Sequence, residues 1–151
     1  MLKVVSHSEA ETEALGAALA NLLRPGDFVA LSGGLGAGKT ALCRGLVRAL
    51  GSEECASPTF TIVHEYDCDP PVYHFDAYRL NNADELYEIG CEEYFARGGI
   101  VLMEWPEKVE EALPKEAVRL FFAGVGEGER LIEIDGLGPA REEALKAAGV
   151  C

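Results

Sequence analysis

Gly33-Gly34-Leu35-Gly36-Ala37-Gly38-Lys39-Thr40 fits the pattern GxxxxGK[ST] in full. Glycines let a backbone curl around a phosphate chain with its N–H groups turned inward, and a helix that starts at the end of such a loop adds positive potential. Lys39 would then hold the β- and γ-phosphates, and the Thr40 hydroxyl would be a magnesium ligand. The chemistry implied is binding of a magnesium nucleotide and transfer of its terminal phosphoryl group. A glycine-rich strand-to-helix turn without a ligand is the plain alternative.

Such a site also needs a carboxylate at the tip of a neighbouring strand. Glu104 closes the apolar run Ile100-Val101-Leu102-Met103 and is the Walker B candidate. A glutamate reaches further than the usual aspartate, which allows a direct ligand, a water-mediated one, or a base for the attacking water; a solvated carboxylate at a strand end is the alternative. Asp76 and Tyr78 share a strand face by the period of two, and Arg79 follows. Asp76 is placed to order magnesium-bound water and Arg79 to neutralise developing charge, with an Asp76–Arg79 ion pair equally compatible. Ser57-Pro58-Thr59 offers hydroxyls in a stiffened loop where Thr59 or Thr61 either senses a γ-phosphate or forms an ordinary turn. Trp105 belongs near the nucleotide mouth, either stacked on a ligand or partner or packed into the core edge.

The elements that must carry these residues can be read from periodicity. Phe28 to Leu31 is a short apolar run before the glycine cluster, suited to a strand buried on both faces. A helix from about Lys39 to Leu50 follows, with Leu42, Leu46 and Leu50 on one stripe and Gly51 as its stop. Ser8-Glu9-Ala10-Glu11 has the form of a capping box, and Ala14, Leu15, Ala18, Leu19, Leu22 and Leu23 recur at helical spacing before Pro25-Gly26. Phe60 to Tyr66 and Val72 to Tyr78 predict an antiparallel pair about Asp69-Pro70-Pro71. A short helix over Asp84 to Ile89, the strand Ile100 to Met103, a hairpin of Val118 to Phe122 with Arg130 to Ile134 across Gly124 to Gly128, and a helix over Pro139 to Ala148 complete the chain. The order α-β-α-β-β-α-β-β-β-α predicts one α/β domain over residues 1–151, a P-loop NTPase-like three-layer architecture with a mixed sheet flanked by helices.

Thirteen Lys and Arg against twenty-six Asp and Glu leave a net charge of −13, which disfavours direct binding to a phosphate backbone. No apolar run approaches the roughly 20 residues of a membrane span. Acidic residues enter within the first ten positions, unlike a secretory signal, so a cytosolic protein is expected. Cysteines at 43, 55, 68, 91 and 151 form no CxxC and predict reduced thiols. His64, Cys68 and His74 are close in sequence but lack a recognised metal-ligand spacing.

GGLGAGKT, SPTFTIVHEY, VYHFDAYRL followed by DELYEIG, and IVLMEWPE, in this order and spacing, closely resemble the TsaE (YjeE) family. These are bacterial P-loop ATPases for the threonylcarbamoyladenosine (t6A37) modification of tRNA. The resemblance runs from the first helix to about Ile134. It implies an ATPase, weak alone, that uses ATP and Mg2+ and acts with the TsaD and TsaB proteins, with tRNA approached through those partners. It implies that Gly36 to Ala41 (Gly36, Ala37, Gly38, Lys39, Thr40 and Ala41) bind phosphates beside Gly33, that Thr40 and Glu104 hold magnesium, and that Asp76 lies near the γ-phosphate. Trp105 follows the acidic ligand as in the family, and stretches around Glu9 and Thr12 and near Gly128 and Arg130 match ones that approach the adenosine. Gly34 and Phe60 depart from the family's usual Asp and Tyr, which removes two polar groups and leaves the phosphate cradle intact.

Three other functions use the same loop. A small-molecule kinase is the first alternative, and it usually needs a basic lid that this chain lacks as an Arg-rich insertion. A Ras-like GTPase needs a guanine-reading NKxD, which Asn81-Asn82-Ala83-Asp84 does not supply. A nucleotide-gated interaction module would use binding alone to set partner affinity.

Overall fold

The first element comes from alternation. Leu2, Val4 and Ser6 are buried while Lys3 and Val5 are exposed, so β1 (Leu2–Ser6) lays one face on the core. This strand precedes the expected first helix and was not anticipated from sequence. In the computed structural model, which describes residues 1–34, 38–52, 62–126 and 129–150 and not the side chains of Val125 and Gly126, it forms an edge of the sheet. Ser8 then caps α1 (Glu9–Ala20), its side chain accepting from the Glu11 N–H at 3.1 Å, as the capping box predicts.

β2 (Phe28–Ser32) leads through the glycine cluster into α2 (Lys39–Ala49). β3 (Val63–Tyr66) and β4 (Val72–Asp76) are the antiparallel pair. β4 stops two residues short of the expected Tyr78, because the Asp76 carboxylate accepts the Tyr78 N–H at 2.9 Å and turns the chain. The Phe60 and Thr61 start expected for β3 lies outside the described residues. α3 (Ala83–Glu88) is capped by Asn82, and a further short helix, α4 (Cys91–Phe95), was not expected. β5 (Ile100–Glu104) is followed by 3-10 turns at Pro106–Lys108 and Glu110–Ala112. β6 (Val118–Gly126) and β7 (Glu129–Asp135) form a longer hairpin than predicted, with an irregular register between Gly124 and Gly126, and α5 (Pro139–Ala147) is the last helix.

The seven strands form one mixed sheet in the order β1-β7-β6-β2-β5-β4-β3. Its centre, β6-β2-β5-β4, is parallel, and antiparallel pairs extend it on both sides. Alternate residues of the central strands serve opposite faces. Val29, Leu31, Ile100 and Leu102 pack with Leu15 and Leu19 of α1, Leu42 and Leu46 of α2, and Leu145 of α5. Phe28, Ala30, Val101 and Met103 pack on the other face with Leu86 of α3 and Cys91 of α4. The result is the expected three-layer α/β arrangement with helices on both faces.

α1 and α2 touch backbone to backbone. A Cβ on Gly16 would overlap the Leu42 carbonyl, and one on Gly45 would overlap the Glu13 carbonyl. Arg44 reinforces the pairing with Glu9 at 3.2 Å and Glu13 at 2.8 Å. Among the described residues, no helix is long and apolar enough to cross a membrane.

Candidate nucleotide-binding site

Parallel strands deliver their carboxyl ends to one rim of the sheet, where open α/β sheets bind ligands. In register, Glu104 stands opposite Leu31 on one side and Asp76 on the other, so the candidate acidic pair meets the start of the glycine loop. Gly33 leaves β2, and Gly38 caps α2 with φ 102°, a left-handed conformation that glycine adopts without cost to a side chain. The first turn of α2 has no side-chain cap, which leaves its N–H groups for an anion. Leu35, Gly36 and Ala37 lie outside the described residues, as do Ser57, Thr59, Thr61 and Gly128.

Lys39 is buried at 5% exposure, yet its ammonium makes one hydrogen bond among the described residues, to the Gly33 carbonyl at 2.8 Å. Glu104 Oε1 lies 3.8 Å from the same Nζ, and the Trp105 ring centre 4.5 Å away. A buried cation with donors to spare beside an uncapped helix start fits a polyphosphate. Thr40 exposes its side chain one residue on, and Ala41 is buried in the same turn. Thr40 and Glu104 supply hard oxygen donors, the chemistry magnesium takes.

His74 holds the other Glu104 oxygen. Its Nε2 is 2.7 Å from Oε2, with both side chains buried. The residue comes from β4, two positions before Asp76 and on the same strand face, a parity visible in the sequence although its role was not foreseen. Cys43 Sγ of α2 approaches the same Nε2 at 3.9 Å, and Tyr66 stacks at 6.2 Å between ring centres. Burial works against a charged His74 ring, but the Cys43 sulfur and the Glu104 carboxylate outweigh it and raise its pKa above 6.5. Glu104 is likewise opposed by burial and is nonetheless held below the ordinary carboxylate value by His74 and then Lys39. Desolvation pushes Asp76 up, with the Tyr78 N–H pulling it down and the Glu104 charge pushing it up again. Two carboxylates side by side therefore differ: Glu104 is kept ionised, and Asp76 is the easier to protonate.

Trp105 has φ 58° and is the one non-glycine residue with positive φ among those described. That turn carries its ring over Lys39 and against Tyr78, whose ring centre is 4.9 Å away. The tryptophan thus lies at the mouth of the site and packs on protein at the same time. Arg79 is exposed in the turn after β4 and makes no ion pair among the described residues, so the Asp76–Arg79 pair is not formed.

Thr12 and Arg130 come to the loop from the other side. A Cβ on Gly38 would meet Arg130 Cγ at 3.6 Å, Thr12 Cγ2 at 3.7 Å and Phe122 Cδ2 at 3.8 Å. Thr12 is buried and shares a 2.6 Å hydrogen bond with Ser6, while Ser6 pairs with Arg130 across β1 and β7. Glu9 is turned outward onto Arg44. Cys43, Cys68 and Cys91 are free thiols, and no cluster of three His, Cys, Asp or Glu among the described residues could hold a metal on its own.

Comparison with known proteins bears on the family and the fold. A family model described as "Threonylcarbamoyl adenosine biosynthesis protein TsaE" matches residues 6–132. The chain is 41% identical over 130 residues to the tRNA threonylcarbamoyladenosine biosynthesis protein TsaE of Bacillus subtilis, covering 85% of this chain and 81% of that one. It is 36% identical over 134 residues to the protein of the same name from Treponema pallidum, covering 88% and 99%. A crystal structure of Bacillus subtilis YdiB superposes with a TM-score of 0.79 at 34% identity, over 98% of this chain and 93% of that one.

Proposed function

Because the chain belongs to the TsaE family of threonylcarbamoyl adenosine biosynthesis proteins, we propose that it binds and hydrolyses magnesium-ATP within the threonylcarbamoyladenosine modification of tRNA, acting with the TsaD and TsaB proteins. The observation that carries this reading is the buried Lys39 ammonium at the uncapped start of α2, hydrogen-bonded to Gly33 and 3.8 Å from Glu104.

In this reading Lys39 swings from the Gly33 carbonyl to the β- and γ-phosphates, which compete for it as charged acceptors. The N–H groups from Gly36 to Ala41 cradle the phosphate chain. Thr40 and Glu104 would hold the magnesium, which when bound would supply positive charge against the phosphate oxygens. Asp76, adjacent to Glu104 and the easier of the two to protonate, orders water on the γ-phosphate side and accepts its proton. Arg79, exposed and unpaired among the described residues, is free to be drawn over the phosphates. Thr12 and Arg130 flank the loop on the nucleoside side, while Glu9, turned outward onto Arg44, would have to leave that ion pair to join them.

A slow intrinsic rate is expected of this site. Nothing among the described residues covers the γ-phosphate side with fixed positive charge, so partner docking is given the work of excluding water and fixing Arg79. With a net charge of −13, contact with tRNA runs through the partners. The free thiols fit a reducing compartment, and the reading puts the protein in the cytoplasm.

The test is phosphate release from magnesium-ATP by the purified protein and its Lys39→Ala variant, beside a nucleoside acceptor screen. Release that depends on Lys39 and needs no acceptor supports an ATPase; release seen only with an acceptor moves the protein to the kinases.

A further inference from the structure

We propose that His74 is a positioning residue for the magnesium-ATP reaction, fixing one oxygen of Glu104 so that the other is presented to Lys39 and the metal. The inference rests on the reading of the site as a magnesium-ATPase and adds a residue that neither the motif nor the family match assigns.

The geometry is specific. Glu104 is the last residue of β5 and pairs in register with Asp76, whereas His74 pairs with Leu102, one layer deeper in the sheet. The imidazole therefore reaches Glu104 from the core side and engages Oε2 at 2.7 Å, leaving Oε1 as the oxygen 3.8 Å from Lys39 Nζ. A glutamate has one more rotatable bond than the aspartate usual at this strand tip, and a single hydrogen bond from a rigid ring removes that freedom. His74 is itself locked by Tyr66 and by Cys43 of α2, the helix that begins at Lys39.

The ring has no other visible task. His74 Nδ1 is buried and has no hydrogen-bond partner among the described residues, so Nε2 is the nitrogen that engages a neighbour there. A buried polar ring beside Tyr66 and Cys43, in register with Leu102, costs stability unless it is hydrogen-bonded, and a leucine would fill that place without an unpaired nitrogen. The Nε2–Oε2 bond is what the histidine supplies and an apolar residue cannot.

The test compares wild-type protein with His74→Leu, which removes the donor, and His74→Gln, which keeps an amide donor. ATP affinity is measured by calorimetry with magnesium and again with EDTA, alongside steady-state hydrolysis. His74→Leu should raise the magnesium concentration needed for half-maximal turnover by about tenfold and lower kcat similarly, with ATP affinity in EDTA unchanged within about twofold. The magnesium-dependent gain in affinity should shrink with it, and His74→Gln should recover most of both losses. On a Glu104→Ala background His74→Leu should cost nothing further, because the histidine acts through that carboxylate. If His74→Leu does not fold, His74→Met, which also lacks a donor, carries the same comparison. A folded His74→Leu protein with wild-type magnesium dependence and kcat overturns the inference alone. A wild-type protein that binds no magnesium-ATP overturns the reading of the site and this inference with it.

Discussion

Lys39 and Trp105 form a cation–π contact, with the ammonium 4.5 Å from the ring centre and the indole held there by a left-handed backbone at Trp105. The contact joins the phosphate-binding lysine to the chain's sole tryptophan. Nucleotide phosphates that capture Lys39 must weaken it. Trp105 emission should therefore change on titration with magnesium-ATP, and the nucleotide-free spectrum of Lys39→Ala should already be shifted. Emission identical in wild type, wild type with ATP and Lys39→Ala would contradict the coupling.

Lys39→Ala should lose ATP affinity by at least about tenfold, equivalent to about 1.4 kcal/mol, because the phosphates lose their buried point charge. The fold should persist, since the residue lies at the rim and α2 is anchored by Leu42 and Leu46, both fully buried. Calorimetry and far-UV circular dichroism check the two halves. The same titration with GTP tests base preference, and adenine is expected to bind more tightly.

Glu104→Ala should separate binding from turnover. The cradle from Gly36 to Lys39 survives, so a measurable fraction of ATP affinity remains while most hydrolysis and tRNA modification is lost. The variant also leaves His74 buried beside an empty space, and a stability loss of about 3 kcal/mol is expected in urea unfolding. Asp76→Ala, in which a partly exposed carboxylate is removed, should shift turnover in the same direction more mildly.

Metal-free stability should carry the signature of the His74–Glu104 pair. His74, with a folded pKa raised above 6.5, contributes stability that is full below 6.5 and lost as pH climbs through the folded value. Glu104, with a folded pKa lowered from 4.5, contributes stability present above 4.5 and lost as pH falls through the folded value. Urea unfolding in EDTA should show the difference between wild type and His74→Leu favouring wild type most between about pH 4.5 and 6.5, with a decline on either side. A difference that is flat from pH 4 to 10 is the opposing result.

Gly45→Ala tests the floor under the site without touching it. The added methyl would overlap the Glu13 carbonyl, so α1 and α2 must separate, at a cost of about 1–3 kcal/mol or more. Thermal unfolding measures the loss. Because α1 carries Thr12 and α2 carries Lys39 and Thr40, ATP affinity should weaken together with stability.

The elements written in local pattern were legible, and those written in register were not. β2, α2 and β5 are bounded apolar runs, and the loop between β2 and α2 carries its own motif. β1 has a clear alternation over five residues, but its partner β7 lies more than a hundred residues away, and nothing local announces that pairing. α4 is five residues long between Gly90 and Gly98, too short for a helical period to show. Glu104, Asp76 and Lys39 were identified as candidates from chemistry and place in the chain. His74 was read only as an unlikely metal ligand, because its meeting with Glu104 depends on how β4 aligns with β5. Thr12 and Arg130 were suggested only by the family resemblance, and the structure brings both to Gly38.

The most direct test of the account is steady-state phosphate release at saturating magnesium-ATP, first with this protein alone and then with the TsaD and TsaB pair added. Release should be slow with the protein alone, rise markedly with the pair, and be lost in both cases in Lys39→Ala. A pair that neither binds the protein nor changes its rate would contradict it.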